Sequence, residues 1–222
     1  MVKNIYHPLI VVLTVAVLFQ AGHYIEPIAS KHYKLEVLYL PSGKFLEQAS
    51  LGYKNLVADI LWFKTIQYYG GYRLGENDLA LFQHLIDVIT ELDPKFSFAY
   101  LFGALIIAED LGAFNDGIEV LKRGMYNNPD DWWLPFEIGF LNYVYARNYK
   151  EAVRYFNLAS KIPGAGEITR RFAAFAAARG GYIEKSIAMW QELAETSNNK
   201  YIRELARHYI EKLKKKGTII GK

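Results

Sequence analysis

Apolar and polar positions change their spacing along the chain, and these changes divide it into segments. From Ile5 to Gly22 the sequence is apolar on every helical face, with only a few polar residues between. As a helix rising 1.5 Å per residue, this stretch would be roughly 27 Å long, which is close to the hydrocarbon thickness of a bilayer. The pattern predicts a transmembrane or signal helix within residues 1–24, followed by a connector over residues 25–44.

The same segment indicates the cellular localisation of the protein. Its uncharged centre, Leu9 to Phe19, has the length of a signal-peptide core, and Lys3 supplies a small positive flank. Cleavage would place Phe19 or Gln20 at a position that requires a small residue, so an uncleaved signal anchor is favoured over a cleaved signal, and burial as a soluble helix is the least favoured reading. Positive charge on the N-terminal flank indicates a single-pass inner-membrane protein with a periplasmic body. The alternative is a protein secreted to the periplasm after cleavage.

Helical periodicity begins after the connector. Phe45 to Tyr69 carries apolar residues at helical spacing, with Gly70-Gly71 at its end, and predicts one long amphipathic helix. A second apolar run, Leu79 to Leu92, stops at Asp93-Pro94 and predicts a second helix. Residues 45–97 are therefore interpreted as a helical hairpin.

Residues 98–199 repeat themselves at a period of about 34 residues. Each unit places a small residue, a large apolar residue and usually another small residue at spacings of four and three on its second helix. These residues are Gly117, Leu121 and Gly124, then Ala152, Phe156 and Ala159, and then Ser186, Trp190 and Leu193. Two antiparallel helices pack closely where their axes cross over a small side chain, so the pattern predicts stacked helical hairpins.

This frame resembles the tetratricopeptide repeat, in which small residues mark the helix crossings and a proline closes each unit. The resemblance implies an all-α, right-handed superhelix of antiparallel helical hairpins, with three repeats over residues 98–199. The third unit departs from the pattern, because it has Leu193 at a small-residue position and no closing proline. The hairpin over residues 45–97 is a divergent unit, with Phe82 where alanine is usual, and residues 200–222 are predicted to form a capping helix with a basic tail.

Composition excludes several kinds of function. The chain has no cysteine, so disulfides, thiolate metal sites and cysteine catalysis are ruled out. A net charge of +3 with scattered basic residues disfavours nucleic-acid binding. The five histidines do not have the paired spacing that a zinc site requires. We therefore expect no metal, no cofactor and no catalytic residue.

The resemblance also implies a binding surface, since in this repeat class the first helix of each hairpin lines a concave groove. The residues transferred to this groove are Phe102, Ile106 and Glu109, then Glu137, Leu141 and Tyr145, and then Arg171, Phe175 and Arg179. Such a groove would be apolar and aromatic, acidic at one end and basic at the other, and would suit a partner's peptide or amphipathic helix. Alternatively, the connector over residues 25–44 covers part of it.

The leading functional hypothesis is a non-enzymatic protein–protein interaction scaffold of the bacterial cell envelope. The segments Leu40-Pro41-Ser42, Ala58 to Trp62 and Gln67 to Gly70 also look like bacterial repeat proteins of this kind. Two alternatives remain open. The chain could be an accessory structural subunit of a membrane complex that uses its N-terminal helix as an intramembrane contact. It could also be a glycan-cleaving enzyme built on an α-superhelix, with Glu109 as an isolated catalytic carboxylate.

Overall fold

The computed structural model describes residues 41–220, with side chains through Lys215, and all the regular structure within these residues is α-helical. The described helices belong to one compact unit that begins at Gly43. They are α1 (Gly43–Ala49), α2 (Lys54–Arg73), α3 (Phe82–Leu92), α4 (Ser97–Glu109), α5 (Phe114–Asn127), α6 (Trp133–Val144), α7 (Tyr149–Ala159), α8 (Glu167–Arg179), α9 (Ile183–Thr196) and α10 (Lys200–Ile220). The prediction of an all-α fold is confirmed for this part of the chain.

A membrane-spanning helix was predicted only at the N-terminus. Between residues 41 and 220, none of the helices is long and apolar enough to cross a bilayer. The predicted transmembrane or signal helix in residues 1–24 lies outside the described residues, as does most of the connector.

The helices pack in the order in which the chain forms them. Each described helix contacts the next one, and two contacts skip a helix, between α1 and α3 and between α4 and α6. The second helices α5 and α7 each bury one stripe, such as Gly117, Val120, Leu121 and Gly124 on α5, and are polar elsewhere. The first helix α4 buries residues around most of its circumference because it lies between neighbours on several sides. Consecutive packing of this kind is expected of hairpins joined by short turns.

Small residues allow the two helices of each hairpin to approach closely. A Cβ atom added to Gly117 would lie 2.7 Å from the Ala104 carbonyl oxygen. At the equivalent crossing of α8 and α9, the Ser186 hydroxyl donates a 2.8 Å hydrogen bond to the carbonyl oxygen of Ala174. In the hairpin between them, a Cβ atom on Gly139 would lie 2.7 Å from the Phe156 ring. The predicted small-residue crossings are therefore points of helix contact.

Each of these three hairpins turns through one residue in the left-handed backbone region. This residue is Gly112 in the first turn (φ 66°), Arg147 in the second (φ 52°) and Gly181 in the third (φ 82°). Glycine adopts this conformation without a steric penalty, whereas Arg147 carries a Cβ atom that crowds its own backbone. The turn geometry therefore recurs even where glycine does not.

The turns differ in length by one residue. In each turn a backbone N–H beyond the first helix donates to a carbonyl near that helix's end. The bonds run from Ala113 to Ile107 (3.0 Å), from Asn148 to Asn142 (2.9 Å) and from Tyr182 to Ala177 (2.9 Å). The first two close over six positions and the third over five, so the first two turns hold one additional residue.

The predicted helix from Phe45 to Tyr69 is divided in two. The break between α1 and α2 contains Leu51 (φ 49°) and Gly52 (φ 94°), whose left-handed backbone cannot continue a helix. Helix α2 then continues through Gly70-Gly71 to Arg73, although the glycines were predicted to end it. Gly71 is buried beside Asn77, and glycine weakens a helix by only about 1 kcal/mol, so packing determines the outcome.

The last helix covers the exposed end of the third hairpin. Trp190 is fully buried, and its ring stacks on Tyr209 of α10 at 5.0 Å. Ile202, Ala206 and Leu213 complete the buried stripe, whereas Tyr201 is 66% exposed. Contact with Trp190 thus determines which side of α10 is buried.

Candidate functional site on the first helices

The first helices α4, α6 and α8 leave one accessible stripe each, and together these form what we call the first-helix face. Its members on each helix recur at matching positions and are exposed or half-buried. They are Phe98, Phe102, Leu105 and Glu109 on α4, then Trp133, Glu137, Phe140 and Val144 with the following Tyr145, and then Ile168, Arg171, Phe175 and Arg179 on α8. The face is rich in aromatic and large apolar side chains and carries four charged groups.

Side-chain contacts join α2 to α4 along this face. The Trp62 ring lies edge-on to Phe98 and to Phe102, with ring centroids 5.7 and 5.4 Å apart. Tyr69 makes a similar edge contact with Phe102 at 5.5 Å. Because edge-to-face aromatic pairs at these distances are favourable, they fix the position of Phe102.

Contacts of the same kind join α6 to α8. Phe140 and Phe172 lie with ring centroids 6.1 Å apart. The Arg179 guanidinium lies 5.3 Å from the centre of the Tyr143 ring, within the range of a cation–π interaction. Phe140 and Arg179 of the face are therefore each in contact with the neighbouring first helix.

Between α4 and α6 the contact is polar. Tyr145, which follows the end of α6, lies near the Glu109 carboxylate of α4. Burial raises the pKa of Tyr145, and interaction with Glu109 and the other negative charges nearby raises it further. The adjacent Asp110 accepts a 3.0 Å hydrogen bond from the Tyr69 hydroxyl and lies 3.9 Å from Arg73.

Glu137 lies between these acidic residues and α8. Burial raises the pKa of its carboxyl from 4.5 to about 7. Removing a carboxylate from water disfavours its charged form, and no favourable charge offsets that cost here. The carboxyl is therefore partly protonated near neutral pH.

The α8 end of the face is basic. Arg179 is exposed, and Arg171 is half-buried with its Nε atom inaccessible and without a hydrogen-bond partner in the described structure. Charge on the first-helix face thus changes from negative on α4 and α6 to positive on α8.

Seven of the nine residues predicted to line the groove lie on this face, and the other two are buried. Ile106 is 4% exposed and Leu141 is 0% exposed, so both contribute to helix packing. Their accessible neighbours are Leu105 and Phe140. A partner-binding role for any of the nine stays a prediction.

Turn length explains these two placements. The predicted groove residues lie at fixed intervals before the small residues of the second helices: Ile106, Leu141 and Phe175 each lie eleven positions before Gly117, Ala152 and Ser186. The crossing residues lie 13 positions apart in the first two hairpins, Ala104 to Gly117 and Gly139 to Ala152, but 12 apart in the third, Ala174 to Ser186. The additional turn residue moves the accessible stripe by one position on α4 and α6 but not on α8.

The residues missed from sequence are Phe98, Leu105, Trp133 and Phe140, whereas the resemblance also places Val144 and Ile168 in the groove. The sequence of each first helix does contain a spacing that would identify these residues. Accessible positions fall six before, one after and five after the small crossing residue, and this holds for Ala104, Gly139 and Ala174 alike. Counting from those three residues identifies the stripe without reference to the turns.

The second helices form a different surface. Two open cavities of about 540 and 580 Å³ lie between α3 and α5 and between α7 and α9. Both are lined mainly by polar and charged side chains. Tyr126 and Leu158 are among its large exposed residues, at 87% and 41%. Among the described residues, no aromatic contact joins α5 to α7 or α7 to α9, so this surface provides a control for the first-helix face.

Within the described residues, no group of three or more His, Asp or Glu side chains is placed to hold a metal ion. No protein-family model matches the chain, and no curated protein matches it either. Function is therefore inferred from the geometry of the described residues.

Proposed function

We propose that the chain is a non-enzymatic scaffold of the bacterial cell envelope that binds another protein on its first-helix face. The observation that carries this proposal is the continuity of that face, in which aromatic contacts link α2 to α4, α4 packs on α6, and aromatic and cation–π contacts link α6 to α8. Large accessible apolar side chains at recurring positions are typical of surfaces that bind peptides or helices.

The architecture that we propose is a right-handed, tetratricopeptide-like superhelix. Three features support it: helices that pack in chain order, small residues at each hairpin crossing, and a left-handed turn residue at equivalent positions. In such a stack every hairpin buries its apolar surface against the next. The first-helix face would then be the concave side.

The proposed partner is a peptide or amphipathic helix whose apolar side chains meet the aromatic centre of the face. Its basic end would lie near Glu109 and its acidic end near Arg171 and Arg179. Complementary charge of this kind fixes the direction of a bound segment and increases its association rate more than its affinity.

The envelope location rests on the apolar stretch from Ile5 to Gly22. We propose that it anchors the chain in the inner membrane with the helical body in the periplasm, and that cleavage to a secreted periplasmic form is the alternative.

The test is crosslinking and affinity capture of partners from membranes with the full chain. Phe98→Asp combined with Val144→Asp changes two residues of the face that are 56% and 43% exposed. The matched control combines Tyr126→Asp with Leu158→Asp on the second helices. We expect the first pair to lower recovery of the partner at least about tenfold, because each substitution replaces apolar contact with a charge. The control pair should not change recovery.

Equal recovery with both pairs, in proteins of unchanged helicity, would show that the first-helix face is not the binding surface. Replacing Leu9 to Phe19 with a cleavable signal distinguishes the scaffold from an intramembrane subunit, since only the scaffold would keep its partner. Glycan hydrolysis that is lost with Glu109→Gln would instead support the enzymatic alternative.

A further inference from the structure

The outward side of α2 carries a stripe of apolar residues that no part of the described structure covers. The stripe is defined by Tyr53, Leu56, Ile60, Phe63 and Gln67, at alternating intervals of three and four residues. Leu56, Ile60 and Phe63 are 56%, 51% and 65% exposed. This outer stripe therefore presents large apolar side chains to the surroundings along the first half of the helix.

The outer stripe is separate from the other surfaces of α2. Ala58, Leu61 and Thr65 are buried on the opposite side of the helix, and Trp62 points toward Phe98 on the first-helix face. The stripe thus belongs neither to the hairpin core nor to the proposed groove.

Exposed apolar residues are concentrated at this end of the body. Phe45 and Leu51, close in sequence to the stripe, are 59% and 87% exposed. The four apolar residues of the stripe, Tyr53, Leu56, Ile60 and Phe63, form a patch on the order of 500 Å², since a fully exposed side chain of this size presents about 200 Å². That reaches the range of the largest patches on typical monomers, which are often functional.

Chain length limits the distance between this patch and the proposed membrane anchor. Only residues 23–42 separate the apolar stretch ending at Gly22 from the start of α1, and they span at most about 70 Å when fully extended. A body tethered in this way meets the bilayer surface at a high effective concentration. Helix α2, which carries the patch, is the first long helix described after that segment.

The polar neighbours of the stripe limit how deeply it could enter lipid. Asp59 is exposed beside Ile60, and Lys54 is bonded to Glu47 at 2.9 Å. These charges remain in the headgroup layer while Leu56, Ile60 and Phe63 reach the acyl boundary, and Tyr53 has the amphipathic ring typical of that interface. Because the local charges are of mixed sign, apolar contact rather than lipid charge drives the interaction.

We propose that the outer stripe of α2 rests on the surface of the lipid bilayer. The inference rests on the proposed membrane anchor and adds a second contact, which orients the first-helix face relative to the membrane. A single tether leaves a body free to rotate, whereas a tether and a docked face together define its orientation.

The experiment uses the absence of cysteine in the chain, which allows one fluorescent label at a chosen position. Full-length protein with Phe63→Cys or, as the control site, Tyr126→Cys is labelled and reconstituted into phosphatidylcholine vesicles that contain a spin-labelled quenching lipid. We expect strong lipid quenching of the label at position 63 and little at position 126. Iodide in the water should show the reverse order.

A second pair of variants tests the stripe itself. Leu56→Asp combined with Ile60→Asp should lower the docked-to-undocked ratio, read from quenching at position 63, by at least about tenfold, because two apolar side chains become charged. Leu158→Asp combined with Tyr201→Asp, which changes two exposed residues elsewhere, should leave the ratio unchanged. Raising the salt concentration should have little effect.

Three outcomes would overturn the inference, and vesicle flotation separates the first two from failure of the anchor. If the vesicles carry the protein but iodide reaches position 63 as readily as position 126, the stripe does not dock although the anchor holds. Efficient disulfide crosslinking between unlabelled Phe63→Cys chains on dilute vesicles would mean that a second copy covers the stripe. If the full chain does not float with vesicles, both the docking and the anchor are wrong.

Discussion

At the scale of single residues, the charge on the first-helix face depends on how far burial removes each ionisable side chain from water. Glu137 shows this most clearly, because burial alone raises the pKa of its carboxyl to about 7. A carboxyl that titrates near neutrality changes the charge of the surface that we propose binds a partner. The same burial has a consequence for stability that does not depend on any partner.

Glu137 should make the folded protein less stable as the pH rises from about 4.5 to about 7. Below this window the carboxyl is protonated in both the folded and unfolded states, so it has no effect. Above it the carboxylate is ionised in both states, and only the folded state bears the cost of burial. Because one pKa unit corresponds to about 1.4 kcal/mol, the loss should reach about 1–3 kcal/mol.

Urea unfolding of wild type and Glu137→Gln across this window measures the effect. We expect the variant to gain stability relative to wild type as the pH rises, since glutamine cannot ionise. Comparing the two proteins at each pH removes the contribution of all other titrating groups. Glu195→Gln, at an exposed position on α9, is the control and should run parallel to wild type. A difference between wild type and Glu137→Gln that stays constant over the window would contradict the prediction.

At the scale of helices, the distance between the two helices of a hairpin depends on glycine, which has no Cβ atom, at their crossing. Gly117 lets α5 approach the Ala104 carbonyl of α4, where a Cβ atom would lie 2.7 Å from the oxygen. Gly70 also lies within a helix, but a Cβ atom there would have no neighbour within 4 Å. The same chemical change should therefore have opposite effects at these two positions.

We expect Gly117→Ala to destabilise the protein by about 1–3 kcal/mol, because the contacted atom is backbone and the helices must separate. Gly70→Ala should stabilise it by up to about 1 kcal/mol, because alanine loses less conformational freedom in a helix. Thermal and urea unfolding followed by circular dichroism measure both changes. Effects of the same sign would mean that α4 and α5 do not cross where the structure places them.

The sequence predicted those features of the helices that depend on local spacing. Small and large residues at intervals of four and three on an amphipathic helix identify its buried stripe, so α5, α7 and α9 were predicted correctly. The register of the first helices was missed because it depends on the length of a turn. Nothing in the local sequence around Arg147 indicates a left-handed residue, which glycine signals in the other two turns.

Tertiary packing also explains why the predicted end of α2, in the hairpin over residues 45–97, was wrong. Gly70-Gly71 has the composition of a helix end, but the buried position of Gly71 beside Asn77 keeps α2 helical. Tertiary contacts override a propensity of this size, and a single sequence does not display them. For the candidate site, sequence identified its helices and its change of charge, while the accessible side of α4 and α6 required the structure.

At the scale of the molecule, contacts in chain order imply that stability is distributed locally. In a stack of hairpins each unit depends on its immediate neighbours, so damage at one end should not spread evenly. Helix α10 covers Trp190 and Phe175 through Tyr209, at ring distances of 5.0 Å each. Within the described residues, its extensive helix contact is with α9 alone.

Deleting residues 200–222 should therefore expose the third hairpin and leave the first nearly intact. We expect amide hydrogen exchange to speed up at least about tenfold in α8 and α9, because Trp190 and its neighbours lose their cover, and to change less than about twofold in α4 and α5. Deletion of residues 216–222 alone is the control, since Leu213 and the buried stripe of α10 remain. Exchange that accelerates equally in all hairpins would show that the body unfolds as a single cooperative unit. That result would contradict the local distribution of stability that the proposed repeat architecture implies.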